Sequence, residues 1–527
     1  MTNTHAYDVI VIGYGPVGKM VSALLGQKGW NVGVFERYDR PYGLPRAVKY
    51  DHEITRLLQK ICPVEDIQRI SVKVPDNYVW CNADRVPLLE IDWSQDGISG
   101  WPADMLFNQA ELETIMNEAC ESLPSVDINL GYNAIHLNEH EDQVNVLFKS
   151  INGEVINTAA KYVIGCDGAN SFVRDNMEHT ITDLGFYNDF LIVDIIPTED
   201  MEFKPMNLQV CDPKRPTTCV SGGPGRRRWE FMLLPGETKE EFKSEEVAWD
   251  LLKSWGIHPG NAKMERHAVY TFKAKWVDQW RKNRLFLAGD AAHLTPPFMG
   301  QGMSSGIRDA ANLAWKMDLL LKGVTDDSIL DTYTEERKPH MEKLIEAAIY
   351  LGKIICTTDV ERAKQRDEQF LSGNFPPFPA FPTLTEGVFD RSGSEKEAGL
   401  TGHLSPQGIV EHNGQSGLFD NVVGQGWVLM GWNHDPKEGL TEQQIQMLED
   451  IGAVFAKVVP KAQPEPAAVI DTDGTYEAFF RTNGIEVALF RPDFYIYGVR
   501  GQKEELPTLI QGLSEQLTQQ TNLANAR

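Results

Sequence analysis

The residues Gly13-Tyr-Gly15-Pro-Val-Gly18 have the types and spacing of a phosphate cradle. Glycines in such a turn let the backbone approach a pyrophosphate closely. A helix starting just after it offers N–H groups and a partial positive charge. Glu36 stands where a second strand would close, and a carboxylate there accepts hydrogen bonds from ribose hydroxyls. That chemistry is dinucleotide binding, and the turn alone does not separate FAD from NAD.

Two further segments narrow the choice. Residues 162–174 read YVIGCDGANSFVR, and residues 285–304 read LFLAGDAAHLTPPFMGQGMS. Each starts as a buried strand and reaches an Asp-Gly or Gly-Asp pair. Asp290 can bond a ribityl hydroxyl. The turn holding Gly300 and Gly302, with a helix starting near Met303 and Ser304, can offer N–H groups to a flavin's pyrimidine edge. Negative charge appears there on reduction.

Other candidates carry two readings each. Asp167 either serves the cofactor or caps local backbone amides. His293 is either a base or a packed residue beside the cofactor. The triplet Arg226–Arg228 either anchors a carboxylate or nicotinamide nucleotide, or is a strand end paired to local acids. Trp80, Trp101, Tyr187 and Trp229 either line a phenol pocket or fill the core. No metal-ligand cluster is visible, and no second GxGxxG sits between a strand and a helix.

The elements that must position these residues follow from periodicity. Residues 7–12 and 31–35 read as strands flanking a helix over 16–28. Strand-like runs at 190–196, 208–211 and 229–234 mark a middle region. Residues 308–322 read as an amphipathic helix. The run FPPFPAFP within 374–382 can be neither helix nor central strand. Beyond it, a strand at 427–432, a helix from about 442 to 458, strands at 487–490 and 494–499 and a helix at 504–521 suggest a separate α/β unit.

At 527 residues the chain needs two to four domains. Its net charge of −25 argues against a nucleic-acid partner. There is no run of 18 apolar residues and no secretory signal, so no membrane association is expected. Seven scattered cysteines without CxxC pairs suit free thiols in the cytoplasm.

In order and spacing, the three segments resemble the dinucleotide fingerprint, the DG motif and the GD motif of the para-hydroxybenzoate hydroxylase family of flavoprotein monooxygenases. Residues 211–216 (CDPKRP), 226–237 (RRRWEFMLLPGE) and Trp101-Pro-Ala resemble the substrate-domain sheet of 3-(3-hydroxyphenyl)propionate hydroxylases. The C-terminal unit resembles the thioredoxin-like domain of longer members. It holds no cysteine, which excludes dithiol chemistry and leaves packing or contact with a second copy in a homodimer.

The resemblance implies an α/β fold in which a Rossmann-type FAD-binding domain (1–70, 111–180 and 276–370) carries an inserted mixed-sheet substrate domain (71–110 and 181–275). A linker (371–408) and the thioredoxin-like domain (409–527) follow. It implies that Gly13, Gly15 and Gly18 hold the pyrophosphate of a non-covalent FAD and Glu36 its ribose. Arg46 contacts the isoalloxazine or pyrophosphate, and Gln109 reaches the FAD from a helix. Asp167 serves FAD and nicotinamide binding, Asp290 binds the ribityl chain, and Gly300, Gly302, Met303 and Ser304 face the flavin ring. Pro297 lies where oxygen reacts, and His293 in the same segment stays a candidate base or a packed residue near the cofactor. Arg226, Arg228, Trp229 and Trp101 are the substrate candidates. The implied activity uses NADH or NADPH and O₂, through a flavin C4a-hydroperoxide, to hydroxylate a phenol ortho or para to its hydroxyl. A hydroxyphenyl carboxylic acid is the expected substrate. A neutral or polycyclic phenol, or another FAD oxidoreductase on the same scaffold, is the alternative; the Trp-x-Trp-x-Ile-Pro segment of halogenases is absent.

Overall fold

The computed structural model describes residues 6–40 and 46–524. Positions 1–5, 41–45 and 525–527 lie outside them; these include the ends of the expected first and last domains and the start of the loop holding Arg46.

Strand Ala6–Ile12 is the centre of a mostly parallel sheet. Val155–Gly165 and then Leu285–Leu287 lie on one side of it, and Val32–Glu36 and then Val126–Leu130 on the other. Beyond Asp8 its sequence is uniformly apolar because both faces are covered, and Val9, Ile10 and Val11 are fully buried. The first helix runs Pro16–Gly26, opening on a proline whose missing N–H costs nothing in a first turn.

The second sheet has eight strands. Its spine is the long antiparallel pair Ile181–Pro197 and Ala262–Val277. From there it runs through Arg227–Met232, Thr217–Ser221 and Asn207–Val210 to Asn77–Cys81 and Pro87–Asp92. Asn207–Val210 pairs in parallel with Asn77–Cys81, so segments more than a hundred residues apart share one sheet. His293–Leu294 joins the opposite edge. The stretch from Leu285 to Leu294 therefore leaves the first sheet and enters the second.

The C-terminal unit is a seven-stranded sheet. Val469–Asp471, Val454–Pro460 and Val428–Trp432 run parallel, and Val487–Phe490 and Ile496–Arg500 continue antiparallel. The helix expected from about 442 to 458 stops at Asp450, and its second half is the strand Val454–Pro460. Gly452, at φ +73, ends the helix, and the β-branched residues beyond it suit a strand. Residues 390–407, read as linker, hydrogen-bond along this unit: Asp390 N–H to Tyr497 O, Gly402 N–H to Ile496 O and Ser405 N–H to Phe494 O.

The long helix runs Gly302–Leu321, joining the start expected near Met303 to the amphipathic run expected from 308, and it has no solvent face. Its polar positions Arg308, Asn312 and Lys316 are buried. All three meet buried carboxylates: Arg308 pairs with Asp51 and Glu53 at 2.6 Å, Asn312 Nδ2 bonds Asp493 of the C-terminal unit at 2.9 Å, and Lys316 pairs at 3.0 Å with Glu336, which also binds Arg491 of that unit at 2.7 Å. Trp315 packs edge-on against Trp427, with centroids 5.5 Å apart. One apolar core thus continues from the first sheet into the C-terminal unit.

Candidate active site

Three strand ends stand side by side: Ile12 pairs with Gly165, and Gly165 with Leu287. The turns carrying Gly13, Asp167 and Asp290 therefore leave the same carboxyl edge of the parallel sheet, where open α/β sheets form their ligand crevice. Gly13, at φ +101, packs so closely that a side chain would strike the Cys166 carbonyl. A side chain at Gly18 would strike the Gly13 carbonyl, whereas one at Gly15 would meet nothing within 4 Å. Two glycines thus close the turn, and the middle one faces open space.

The first helix, beginning at Pro16, and the Gly302–Leu321 helix both start without a side-chain cap. They pack together through Gly306, where a Cβ would lie 2.5 Å from Val17 Cγ2. Their N-terminal amides are left for a ligand. Gly300 adopts a left-handed conformation at φ +64, and Met303 and Ser304 lie in the first turn of the second helix. Pro297 opens the short 3₁₀ turn Pro297–Met299 before it.

Asp290 is exposed to the crevice. Enough protein surrounds it that desolvation pushes its carboxyl up, against the pull of His293 and Arg46. Glu36 accepts hydrogen bonds from the Tyr14 and Tyr38 amides at 2.9 and 3.1 Å, at the rim of the glycine turn. Asp167 accepts from the Val173 amide at 3.1 Å through one oxygen, while its other oxygen is buried without a partner among the described residues. Burial pushes this carboxyl up, and the hydrogen bonds from Ser171 and Val173 oppose the rise. Gln109 does not extend into the crevice: its oxygen takes the Arg46 and Ala47 amides at 3.0 and 2.7 Å, and its nitrogen binds Glu113 at 2.8 Å. It fixes the backbone of the Arg46 loop.

These residues fit an FAD. The cradle is open at Gly15, two uncapped helix starts converge, and Ser304 Oγ and Thr295 Oγ1 are buried without partners among the described residues.

His293 is placed elsewhere. It is 2% exposed, its Nε2 lies 2.7 Å from Asp309 Oδ2, and its ring packs against Trp280. Burial would raise the Asp309 carboxyl, but His293 and Arg337 outweigh it and hold it low. Asp309 also accepts the Gly289 amide at 3.1 Å. The imidazole therefore supports the turn that presents Asp290, and it does not line the large cavity nearby.

That cavity, of about 990 Å³, opens beside the flavin-side turn through Phe298, Met299 and Gln301. Tyr78, Trp80, Leu89 and Trp93 of the second sheet form an aromatic wall, and Phe378 from the proline-rich segment packs edge-on to Trp80. Lys49 reaches in beside Gly300, paired to Asp104 and 4.9 Å from the centroid of Trp93.

The four substrate candidates are not among the lining residues. Arg228 is buried in a two-pronged pair with Asp194, at 2.6 and 2.9 Å, and donates to the Arg46 carbonyl. Arg226 bridges Glu111 and Glu265 at 2.8 and 3.2 Å. Trp229 is fully buried with Phe203 and Trp255, and the Trp101 indole N–H donates to Gln59 at 2.8 Å. The alternation of a strand says which residues share a face, but not which face a cavity takes.

Two supporting residues, Arg174 at the end of the second segment and Lys19 just beyond the glycine turn, have roles that their motifs do not announce. Arg174 donates to the carbonyls of Ala291 and Ala169 at 3.2 and 3.0 Å, tying the second motif to the third. Lys19, fully buried, bonds the Tyr14 carbonyl and Glu113 at 2.5 and 2.9 Å. A charge on an otherwise apolar helix face is the one sequence signal that could have found Lys19.

A family model described as FAD binding domain matches residues 6–348, and one described as HcaD C-terminal domain matches residues 402–516. A probable NADH-specific resorcinol 4-hydroxylase of Rhodococcus jostii (strain RHA1) is 36% identical over 513 residues, covering 96% of this chain and 94% of that protein. A 3-(3-hydroxy-phenyl)propionate/3-hydroxycinnamic acid hydroxylase of Escherichia coli (strain K12) is 30% identical over 521 residues, covering 93% and 91%. Among solved structures, the flavin-dependent monooxygenase PieE in complex with FAD and substrate superposes with a TM-score of 0.79 at 17% identity, covering 98% of this chain and 100% of that one. Aklavinone-11 hydroxylase with FAD and aklavinone gives 0.77 at 20%, with the same coverage. At those identities the structural likeness is one of fold.

Proposed function

Because this chain belongs to the family described as FAD binding domain, matched over residues 6–348, we propose that it is an FAD-dependent, NADH-consuming hydroxylase of a small neutral phenol of the resorcinol class. The carrying observation is the aromatic cavity that opens onto the turn at Phe298–Gln301, beside the uncapped helix start.

FAD, when bound, takes reducing equivalents from NADH and supplies the chemistry with O₂. The chain's residues do the rest. Gly13, Gly15 and Gly18 with the first helix hold the pyrophosphate, Glu36 the ribose and Asp290 the ribityl chain. The amides of Met303 and Ser304 face the pyrimidine edge. The aromatic wall orients the phenol and keeps water out. The Lys49 ammonium, fixed by Asp104, donates to the phenol oxygen and stabilises it as it loses its proton. Lys49→Met should retain FAD and lower kcat/KM for resorcinol about tenfold or more near neutral pH, the value of a charge-assisted hydrogen bond. The deficit should narrow at a pH where the free phenol ionises. An equal deficit at every pH would remove that role from Lys49.

Charge supports the neutral substrate. Among the described residues, Asp51, Glu53, Glu90, Asp92 and Asp104 line the cavity against two permanent cations, Lys49 and Arg308, and both of these are paired. A substrate carboxylate would enter a negative field. NADH as reductant follows the printed name of the Rhodococcus relative. A cytoplasmic setting is part of the same proposal and is supported by the seven free thiols. The resemblance supports a homodimer, and sedimentation of the holoenzyme by analytical ultracentrifugation measures it. The deciding experiment compares resorcinol, 3-(3-hydroxyphenyl)propionate and its methyl ester by NADH oxidation and product mass. Preference for resorcinol and the ester supports the reading, preference for the acid returns the anionic class, and no oxygenated product from any phenol overturns hydroxylation.

A further inference from the structure

We propose that the C-terminal unit supplies one wall of the phenol cavity, and so sets the size of phenol accepted and the fraction of NADH oxidation that ends in hydroxylation. This rests on the phenol-hydroxylase reading and extends it to a unit that carries no flavin motif.

Leu404, Phe479 and Tyr495 line the same cavity as Phe298 and Met299. Leu404 and Tyr495 face each other across a β-bridge, so the wall is built on paired backbone. Tyr495 is 5% exposed, and its hydroxyl donates to Glu53 Oε1 at 2.9 Å. Glu53 Oε2 accepts from Arg308 Nε at 2.6 Å, and Arg308 donates to Gln301 Oε1 at 2.8 Å and to Asp51 at 2.6 Å. Gln301 is the N-cap position of the helix whose first amides face the flavin site. One chain of hydrogen bonds therefore joins the C-terminal wall to the flavin-side turn.

The wall is fixed in place. Arg56 holds Asp420 in a buried two-pronged pair at 2.7 and 2.9 Å, and Arg491 holds Glu336 at 2.7 Å, so the unit is bolted to the first domain at two places. Water exclusion from the reacting centre depends on every wall of the cavity. With the cavity closed, a phenol, NADH, H⁺ and O₂ give the hydroxylated phenol, NAD⁺ and water. With it open, NADH, H⁺ and O₂ give NAD⁺ and hydrogen peroxide, and the phenol is left unchanged. Tyr495 is a positioning residue in this scheme, and Leu404 and Phe479 set size.

The test uses the full-length, FAD-loaded protein. Phe479→Ala should favour 4-hexylresorcinol over resorcinol in kcat/KM by about tenfold relative to wild type, the scale of a few methylenes in an apolar pocket. Phe479→Trp should shift the same ratio the opposite way, which keeps the test alive if the smaller side chain fails to fold. Tyr495→Phe should raise hydrogen peroxide released per NADH severalfold while bound FAD stays stoichiometric. Unchanged substrate ratios in both Phe479 variants, together with unchanged peroxide yield in Tyr495→Phe, overturn the proposal. An inactive wild type with every phenol would instead fail the phenol-hydroxylase reading, so the two failures are distinguishable.

Discussion

The flavin crevice draws its parts from three short stretches, each a strand end followed by a tight turn. The aromatic cavity beside it draws on the first domain, the second sheet, the turn at Phe298, the proline-rich segment and the C-terminal unit. In the crevice the backbone does the work, and glycines are placed where a Cβ would collide with a carbonyl. In the cavity side chains do it, and their roles depend on which distant surface they meet. Backbone geometry is written locally and survives as a motif; a wall assembled from five segments leaves no local trace. The same contrast predicts that substitutions in the crevice act on the cofactor, whereas those in the cavity act on substrate choice.

The largest effect should come from Gly18→Ala. Its added methyl would land on the Gly13 carbonyl, so the turn cannot close. The protein should emerge from gel filtration without flavin absorbance. Stoichiometric FAD in this variant would break the claim that the crevice is a rigid backbone device.

Glu336→Gln tests whether the C-terminal unit is integral to the cavity. It would leave Lys316 and Arg491 buried without their shared carboxylate, a loss of about 3–5 kcal/mol. Burial would raise the Glu336 carboxyl, but Arg491 and Lys316 hold it at about 2. An acid lowered in the folded state stabilises the fold above its unfolded pKa, and that contribution fades as pH falls from the ordinary carboxylate range towards about 2. Urea midpoints of wild type and variant should therefore differ widely at pH 7 and converge as the medium is acidified. Equal midpoints at pH 7 would mean the unit is only loosely docked.

Asp290→Ala should weaken FAD binding by about 1.5–3 kcal/mol, roughly ten- to hundredfold. Flavin fluorescence titration measures it, and an unchanged dissociation constant in a folded variant removes Asp290 from the cofactor site.

Arg226→Ala should do least. Its pairs with Glu111 and Glu265 are partly exposed. Such pairs are worth about 1 kcal/mol or less, so KM for resorcinol and for the hydroxyphenyl acid should move by less than about fivefold. A large rise in KM for the acid alone would restore Arg226 as a carboxylate anchor and erase the contrast in charge drawn for the cavity.

By itself the sequence determined the dinucleotide turn, the two Asp-bearing strand ends and the helix starting near Met303, because glycine spacing and apolar strand length are local constraints on backbone shape. It also determined that a cysteine-free α/β unit follows the proline-rich run. Only the tertiary structure decided that Arg308, Asn312 and Lys316 face protein instead of water. An i, i+4, i+8 polar stripe looks the same whether its partner is solvent or a buried carboxylate. Tertiary structure likewise turned Arg228 inward to Asp194, His293 to Asp309 and Gln109 to the Arg46 loop. It also turned Tyr495, from the far end of the chain, towards Glu53. Each is a long-range pairing of charge or hydrogen bond, whose energy depends on distance in space and desolvation, neither of which is encoded in spacing along the chain.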